Sequence, residues 1–379
     1  MANTIKLGNG NWATKEGSLL AYNDENNNFK PLPFTTTRAS SASVVNKQGL
    51  IETVGSGIPR IDFSDDANGA LLLEPTATNL VTYSEDFSNS SWTKSSSAVT
   101  ITSNVAPDGT INSVYNLTGT DANLYTGGTA NIEHTISVYA KSNGQGKDNF
   151  KLRLGNSTSS SIIVTDKWVR YELTATPTTT VFGLTVDSSP NNEFDILIWG
   201  AQLEQNSYST SYIKTVGTTQ TRSGEDAIQD LSNLVSLTEG VIYIDTTNLG
   251  KDNNSNIISQ HSVTDTVFCL KIDYSNKIAM GLFASGVNVS INSTSSYPLG
   301  ARTKIALHYK SGNMSLYING SLEGTNGASF TLGSGFASAL KLIEGTVAYN
   351  AFPSKSIVSE FKIYNTALTD AELISLTTI

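Results

Sequence analysis

The stretch KIALHYKSGNMSLYINGSLEGTN, residues 304–326, decides the fold class. KIALHY (304–309) and MSLYI (314–318) alternate in the period of two that a half-buried strand requires. Between them Ser311-Gly-Asn313 makes a tight turn. Asn319-Gly320 follows the second strand, and Asn-Gly is the strongest short-range hairpin signal because both residues tolerate positive φ. Strand, turn, strand, turn is the start of a β meander.

Outward from this stretch the same habit continues. VIYID (241–245), VFCLKI (267–272) and VSEFKIY (358–364) read as further strands of one segment, residues 227–379. It ends in a helix: Thr369 with Glu372 three residues on is a capping box, and Leu373 and Leu376 share a face. Upstream, HTISVYA (134–140), SIIVT (161–165), WVRYEL (168–173), VFGLTV (181–186) and FDILIW (194–199) give a second strand series within residues 81–226. SIIVT and WVRYEL are separated only by Asp166-Lys167, which predicts a two-residue hairpin without the favoured glycine. Residues 1–80 are Asn-rich and irregular, with Asn26-Asn27-Asn28, Pro31-Leu-Pro33 and an apolar run at Ala70–Leu73. Too poor in apolar residues for a large core, this segment is expected to be extended and to order against another domain or subunit. The expected architecture is all-β: an extended segment (1–80), then tandem β-sandwiches (81–226 and 227–379), closed by one short helix.

Composition agrees. Charged residues are 15% of 379, against ~25% in ordinary globular chains. Polarity comes from 48 Ser, 45 Thr and 35 Asn, which suit short strands and exposed turns. A net charge of −9 argues against nucleic acid as a partner, since phosphate binding needs clustered Lys and Arg. No run reaches 18 apolar residues and the start MANTIKLGNGNW has no apolar core of a signal peptide, so neither membrane insertion nor secretion is expected. Cys269 is the single cysteine, which excludes an internal disulfide.

The residues that could carry chemistry are few. His134, His261 and His308 have no Cys, Glu or second His at ligand spacing, so no metal site is expected from them. Cys269, inside a strand, reads as a small core residue. Asp62, Asp65, Asp66 and Glu74 are the closest carboxylate grouping. Asp65-Asp66-Ala-Asn-Gly69 has the composition of a turn that bonds its own backbone. Trp168 and Trp199 fall in strand patterns and are expected in cores, whereas Trp12 and Trp92 lie in loop-like contexts. Tyr297 beside Pro298, and Tyr349 and Phe352 near Pro353, sit in expected loops of the last segment. With Asn292, Ser295, Ser296 and Asn350 beside them, these rings are the candidate ligand site, because a ring face stacks on a sugar and amides bond its hydroxyls. No catalytic residue and no cofactor are assigned.

The strings FTTTRASSASVVNKQGLIETVGSGIPRIDF (34–63), GALLLEPTATNLVTYSEDFSNSSWTK (69–94) and IWGAQLEQNSYSTSYIKT (198–215) resemble a recurrent set in bacteriophage virion proteins, mostly tail-fibre and other appendage components. In that family the stretch between them resembles a carbohydrate-binding jelly roll. KIALHYKSGNMSLYINGSLEGTN and SEFKIYNTALTDAELISL (359–376) resemble a laminin-G or concanavalin-A-like sandwich. The resemblance implies a structural protein of the virion, a fibre, decoration or appendage, that displays domains binding host-surface glycans. It implies attachment to other virion proteins through the N-terminal segment and a homo-oligomer, with a trimer favoured. Laminin-G-like sandwiches often carry calcium, for which Asp252-Asn-Asn-Ser-Asn256 offers oxygen ligands. Two alternatives stay open: a tailspike-like enzyme that degrades polysaccharide, and a capsid or tail component without a ligand.

Overall fold

A computed structural model describes residues 4–8, 13–15, 18–23, 28–187, 192–229, 235–248, 255–261, 266–273, 275–284, 286–298, 300–333, 336, 340–342 and 355–379. The chain is all-β apart from helix α1 (Asp370–Thr377), the one α-helix among the described residues. It divides into two compact units, 1–41 with 54–75 and 224–379, and 42–53 with 76–223.

The first unit is a two-sheet sandwich. One sheet runs, in spatial order, Ser321–Asn326, Met314–Ile318, Arg302–Lys310, Glu239–Asn248, Ser356–Tyr364, Ala70–Leu73 and Arg60–Asp62, with Thr4–Gly8 also paired to Ser356–Tyr364. The other runs Ala13–Lys15, Ser18–Asn23, Asn28–Thr37, Asp226–Gln229, Leu340–Leu342, Ser255–His261, Thr266–Ile272, Ile278–Ala284 and Val287–Asn292. Alternate residues of both sheets meet in one core, among them Ile242, Ile244, Leu316 and Phe361 from the first and Phe268, Leu270, Met280 and Leu282 from the second. The turns expected after Lys310 and Ile318 are formed, the latter with Asn319 at φ 49° and Gly320 at φ 82°. The capping box is formed too: Thr369 Oγ1 accepts from the Glu372 backbone N–H, and the Glu372 side chain accepts from the Thr369 N–H. Leu373 of the helix packs on Val241, Tyr243, Ala306 and Tyr317 on the outer face of the first sheet.

The second unit is a sandwich organised around the 14-residue strand Val114–Gly127. Tyr115–Thr120 pairs with the strand Glu193–Glu204, whereas Asn123–Gly127 pairs with Val181–Thr185. Between the halves Asp121 takes φ 49°, and a Cβ on Gly119 would lie 2.4 Å from Cβ of Ala122. Only glycine fits there, so the strand can bend and serve two sets of neighbours. Leu117, Leu124, Ile136, Val138, Leu152, Phe182 and Ile196 fill the core.

Two expectations are corrected. SIIVT and WVRYEL do not form a hairpin with each other. Ile162–Ile163 pairs with Asn149–Phe150, and Val169–Ala175 pairs with His134–Ala140. Without a glycine turn, longer-range partners win. Residues 1–80 order against another domain, one of the two partners expected, and do so as part of its sheets rather than as a separate segment. Thr4–Gly8 and Ala70–Leu73 pair with Ser356–Tyr364, and Thr35–Thr37 with Asp226–Ile228. Their extended backbone completes sheets begun by the C-terminal third, which supplies the apolar face the segment lacks. The contact units therefore cut the chain near 41, 53, 75 and 223 rather than at 80 and 226.

Candidate functional site

On the strands Thr266–Ile272, Ile278–Ala284 and Val287–Asn292, the residues of one parity point into the core and those of the other parity face outward. The registers set the outward residues in rows. Cys269, Gly281 and Ser290 lie abreast, as do Lys271, Ala279 and Asn292, and Phe283 lies opposite Asn288. The middle column thus reads Ala279, Gly281, Phe283: a floor of the two smallest side chains that ends against a ring. A Cβ on Gly281 would sit 3.2 Å from Sγ of Cys269, so even alanine would crowd this floor. The result is a shallow trough about two strand spacings, or ~10 Å, across.

Phe283 is 47% exposed and is the one exposed aromatic ring among the described residues. Asn288, Ser290 and Asn292 are exposed, and no described residue bonds their side-chain amides and hydroxyl. Lys271 is half-buried at the other flank, with no ion-pair partner among the described residues. Burial pushes the Cys269 thiol up from its ordinary range, with the Lys271 charge acting the other way. A neutral thiol is a poor nucleophile, so the trough offers a stacking ring, neutral hydrogen-bonding groups and one cation.

Of the sequence-predicted site residues, Asn292 joins this trough. Tyr297 does not. It is 9% exposed, packs in the sandwich core, and donates its hydroxyl hydrogen to Glu323 Oε1 at 2.7 Å. The loop 293–297 is folded inward: Ser293 Oγ accepts from Ile278 N–H and donates to Ser295 C=O, and Tyr297 N–H donates to Asn276 C=O. Ser295 and Ser296 are exposed, but their bonds go to this same loop framework. Burial raises Glu323, yet bonds from Thr294, Ser295 and Tyr297 outweigh it and hold the carboxyl down at about 2. Tyr349, Asn350 and Phe352 lie outside the described residues, as do Trp12 and the side chains of the Asp252–Asn256 run. Phe283 was legible by parity, as the only large apolar residue opposite in phase to Ile278, Met280 and Leu282.

The other candidates are structural. Trp92 is buried and its Nε1–H donates to Tyr83 C=O at 2.9 Å. Trp199 is buried, while Trp168 is half-buried with Lys141 Nζ 5.4 Å from its ring centroid. Asp66 accepts from Asn68 N–H and Asp62 from Ser64 N–H, the self-bonded turns expected of them. Glu74 is buried against Arg60 at 2.9 Å. His134 and His308 are buried in sheet context, and burial lowers His308. Among the described residues no three His, Cys, Asp or Glu side chains are grouped to hold a metal.

The family-like strings of the second unit also resolve into buried bonding. Asn79 Nδ2 donates to Ala201 C=O and Ile213 C=O, and its Oδ1 accepts from Val81 and Leu203 N–H. Glu204 accepts from Thr210 N–H and Oγ1–H, and Gln202 Oε1 accepts from Ile213 N–H. These side chains tie the loop 205–213 to its own sheet.

Among solved structures, the CBM40 of the Ruminococcus gnavus IT-sialidase is similar at 21% identity and TM-score 0.34, covering 40% of this chain and 91% of that one. Domain 4 of AbnA, an arabinanase of Geobacillus stearothermophilus, is similar at 17% identity and TM-score 0.34, covering 46% and 84%. A pentraxin of Limulus polyphemus is similar at 14% identity and TM-score 0.30, covering 38% and 73%. No curated protein sequence matches the chain. Residues 242–374, which include the trough, match the model of the concanavalin A-like lectin/glucanases superfamily, and this part of the first unit is a sandwich of that type.

Proposed function

We propose that the chain is a glycan-binding structural protein of a bacteriophage virion, and that the Phe283 trough is its contact with the host surface. The observation that carries the binding role is the exposed Phe283 ring at the end of the Ala279–Gly281 floor, flanked by three side chains with open hydrogen-bonding capacity. What sets this ring apart from the other exposed apolar side chains is its flat face, open to stacking beside unbonded amides and a hydroxyl. A pyranose fits: its C–H face stacks on the ring and its hydroxyls meet Asn288, Ser290 and Asn292.

A trough this open holds one or two sugar units weakly, and several copies on one particle raise the avidity. In this reading the chain binds without cutting; of the carboxylate grouping, Asp62 and Asp66 accept turn N–H groups and Glu74 pairs with Arg60. Virion location, a trimeric assembly and attachment to other virion proteins rest on the resemblance of the strings at 34–63, 69–94 and 198–215. The test presents the full-length protein in clustered form to a glycan array and to host cells. Binding that Phe283→Ala weakens about tenfold at unchanged melting temperature is expected. Silence on both surfaces, or binding indifferent to Phe283, sinks the reading.

A further inference from the structure

The second unit carries an outward row that no part of the foregoing uses. On the strands Asn149–Leu154, Val181–Thr185 and Val114–Gly127, core-facing Leu152, Leu154, Phe182, Leu184 and Leu124 leave the opposite parity on the outer face, where Asn123, Tyr125, Lys151, Arg153 and Thr185 are half-buried over a buried Gly183. The registers place Tyr125, Gly183 and Arg153 abreast, and Asn123, Thr185 and Lys151 abreast in the next row but one. Tyr125 and Arg153 are thus two strand spacings apart, ~10 Å, with only a glycine between them. Gly183 cannot be anything larger, since a Cβ there would lie 2.1 Å from the Leu124 carbonyl oxygen.

The chemistry at its two ends differs. Arg153 is half-buried and donates Nε–H to Gly155 C=O at 2.7 Å, which fixes the guanidinium, and among the described residues neither Nη group has a partner. Lys151 is held by Asp187 at 2.9 Å, so the charge in excess on this face belongs to Arg153. The Tyr125 hydroxyl and the Asn123 amide bond no described residue. A pinned guanidinium with two free nitrogens is a fork for a carboxylate, and the phenol ring opposite is a stacking surface.

We infer that this row is a second saccharide site, distinct from the Phe283 trough, that takes a carboxylate-bearing sugar: Arg153 pairs with the carboxylate while Tyr125 stacks on the ring over Gly183. The test is calorimetry on the full-length protein with trigalacturonate, and with the neutral trigalactose of the same length. Trigalacturonate is expected to bind at least tenfold tighter, with an affinity that falls as salt rises. Arg153→Gln should abolish the preference and Tyr125→Ala should weaken both sugars, while Phe283→Ala should leave trigalacturonate unchanged. Equal affinity of the unaltered protein for the two sugars overturns the inference with no variant needed. So does an acidic-sugar preference that survives in folded Arg153→Gln or disappears in Phe283→Ala. Neutral binding that Phe283→Ala leaves intact would count against the trough and leave this site standing.

Discussion

Arg60 and Glu225 are 165 residues apart in the chain, yet both are buried and Arg60 Nε–H donates to Glu225 Oε1 at 2.6 Å. Glu225 Oε1 also takes Arg38 Nη1 at 2.5 Å, and Glu74 closes the group on Arg60. Burial lowers Arg60, but the charges of Glu74 and Glu225 outweigh it and keep the guanidinium ionised. The group lies within the first unit, where Arg38 also holds the Gly55 carbonyl.

Glu225→Gln is expected to destabilise the first unit by about 3–5 kcal/mol, because it strands buried guanidinium charge. Chemical denaturation followed by intrinsic fluorescence measures this. A loss under ~1 kcal/mol would mean the group contributes little.

Asn79→Ala removes a side chain that satisfies two carbonyls and two N–H groups at once. Orphaned buried groups cost ~1–3 kcal/mol each, so a loss of at least ~3 kcal/mol is expected in the second unit. Hydrogen exchange should show it first at Val81 and Leu203.

Glu323 has its folded pKa depressed from 4.5 to about 2. The linked stability is therefore full above the unfolded pKa near 4.5 and disappears as pH falls through about 2. Tyr297→Phe removes one of the bonds that depress it, so the acid loss still begins near 4.5 but levels off at a higher pH and with a smaller amplitude. An identical acid limb in the variant would show that the other donors suffice.

Gly281→Val places a branched side chain on the floor of the trough, where a Cβ already approaches Cys269 Sγ. Glycan binding should fall as far as in Phe283→Ala, by obstruction rather than by loss of the ring. Surface plasmon resonance beside a melting curve separates obstruction from unfolding.

Deleting residues 1–33 removes Thr4–Gly8 from the edge of Ser356–Tyr364 and most of the hairpin Ser18–Thr37. Incorporation into particles is expected to fail, together with a drop in the melting temperature of the first unit. Normal incorporation of the truncated chain would exclude the attachment role of these residues.

Much of this was legible in the sequence where signals are local. Asn319-Gly320 must turn, Thr369 with Glu372 must start a helix, and period-two strings must be strands. Strand partners were not, because alternation fixes which face is buried and says nothing about the neighbour. SIIVT and WVRYEL therefore read as a hairpin with each other, and nothing local in Thr4–Gly8 names Ser356–Tyr364 as its partner. The ligand site failed at Tyr297 on a different ground. A tyrosine beside a proline reads as exposed loop, but the carboxylate that draws its hydroxyl inward, Glu323, is 26 residues away. Phe283 could have been found by asking which large apolar residue is out of phase in its strand.

The pairing of Thr4–Gly8 with Ser356–Tyr364 sets a schedule for the newborn chain. Synthesis at ~5–20 residues per second leaves the first strand waiting some tens of seconds for a neighbour roughly 350 residues downstream. The second unit, whose last strand ends at Arg222, can close during that interval. Meanwhile the early strands of the first unit stand as open edges, the form in which nascent chains on one polysome are most apt to join each other. The late arrival of the C-terminal strand is therefore the interval during which those edges are exposed.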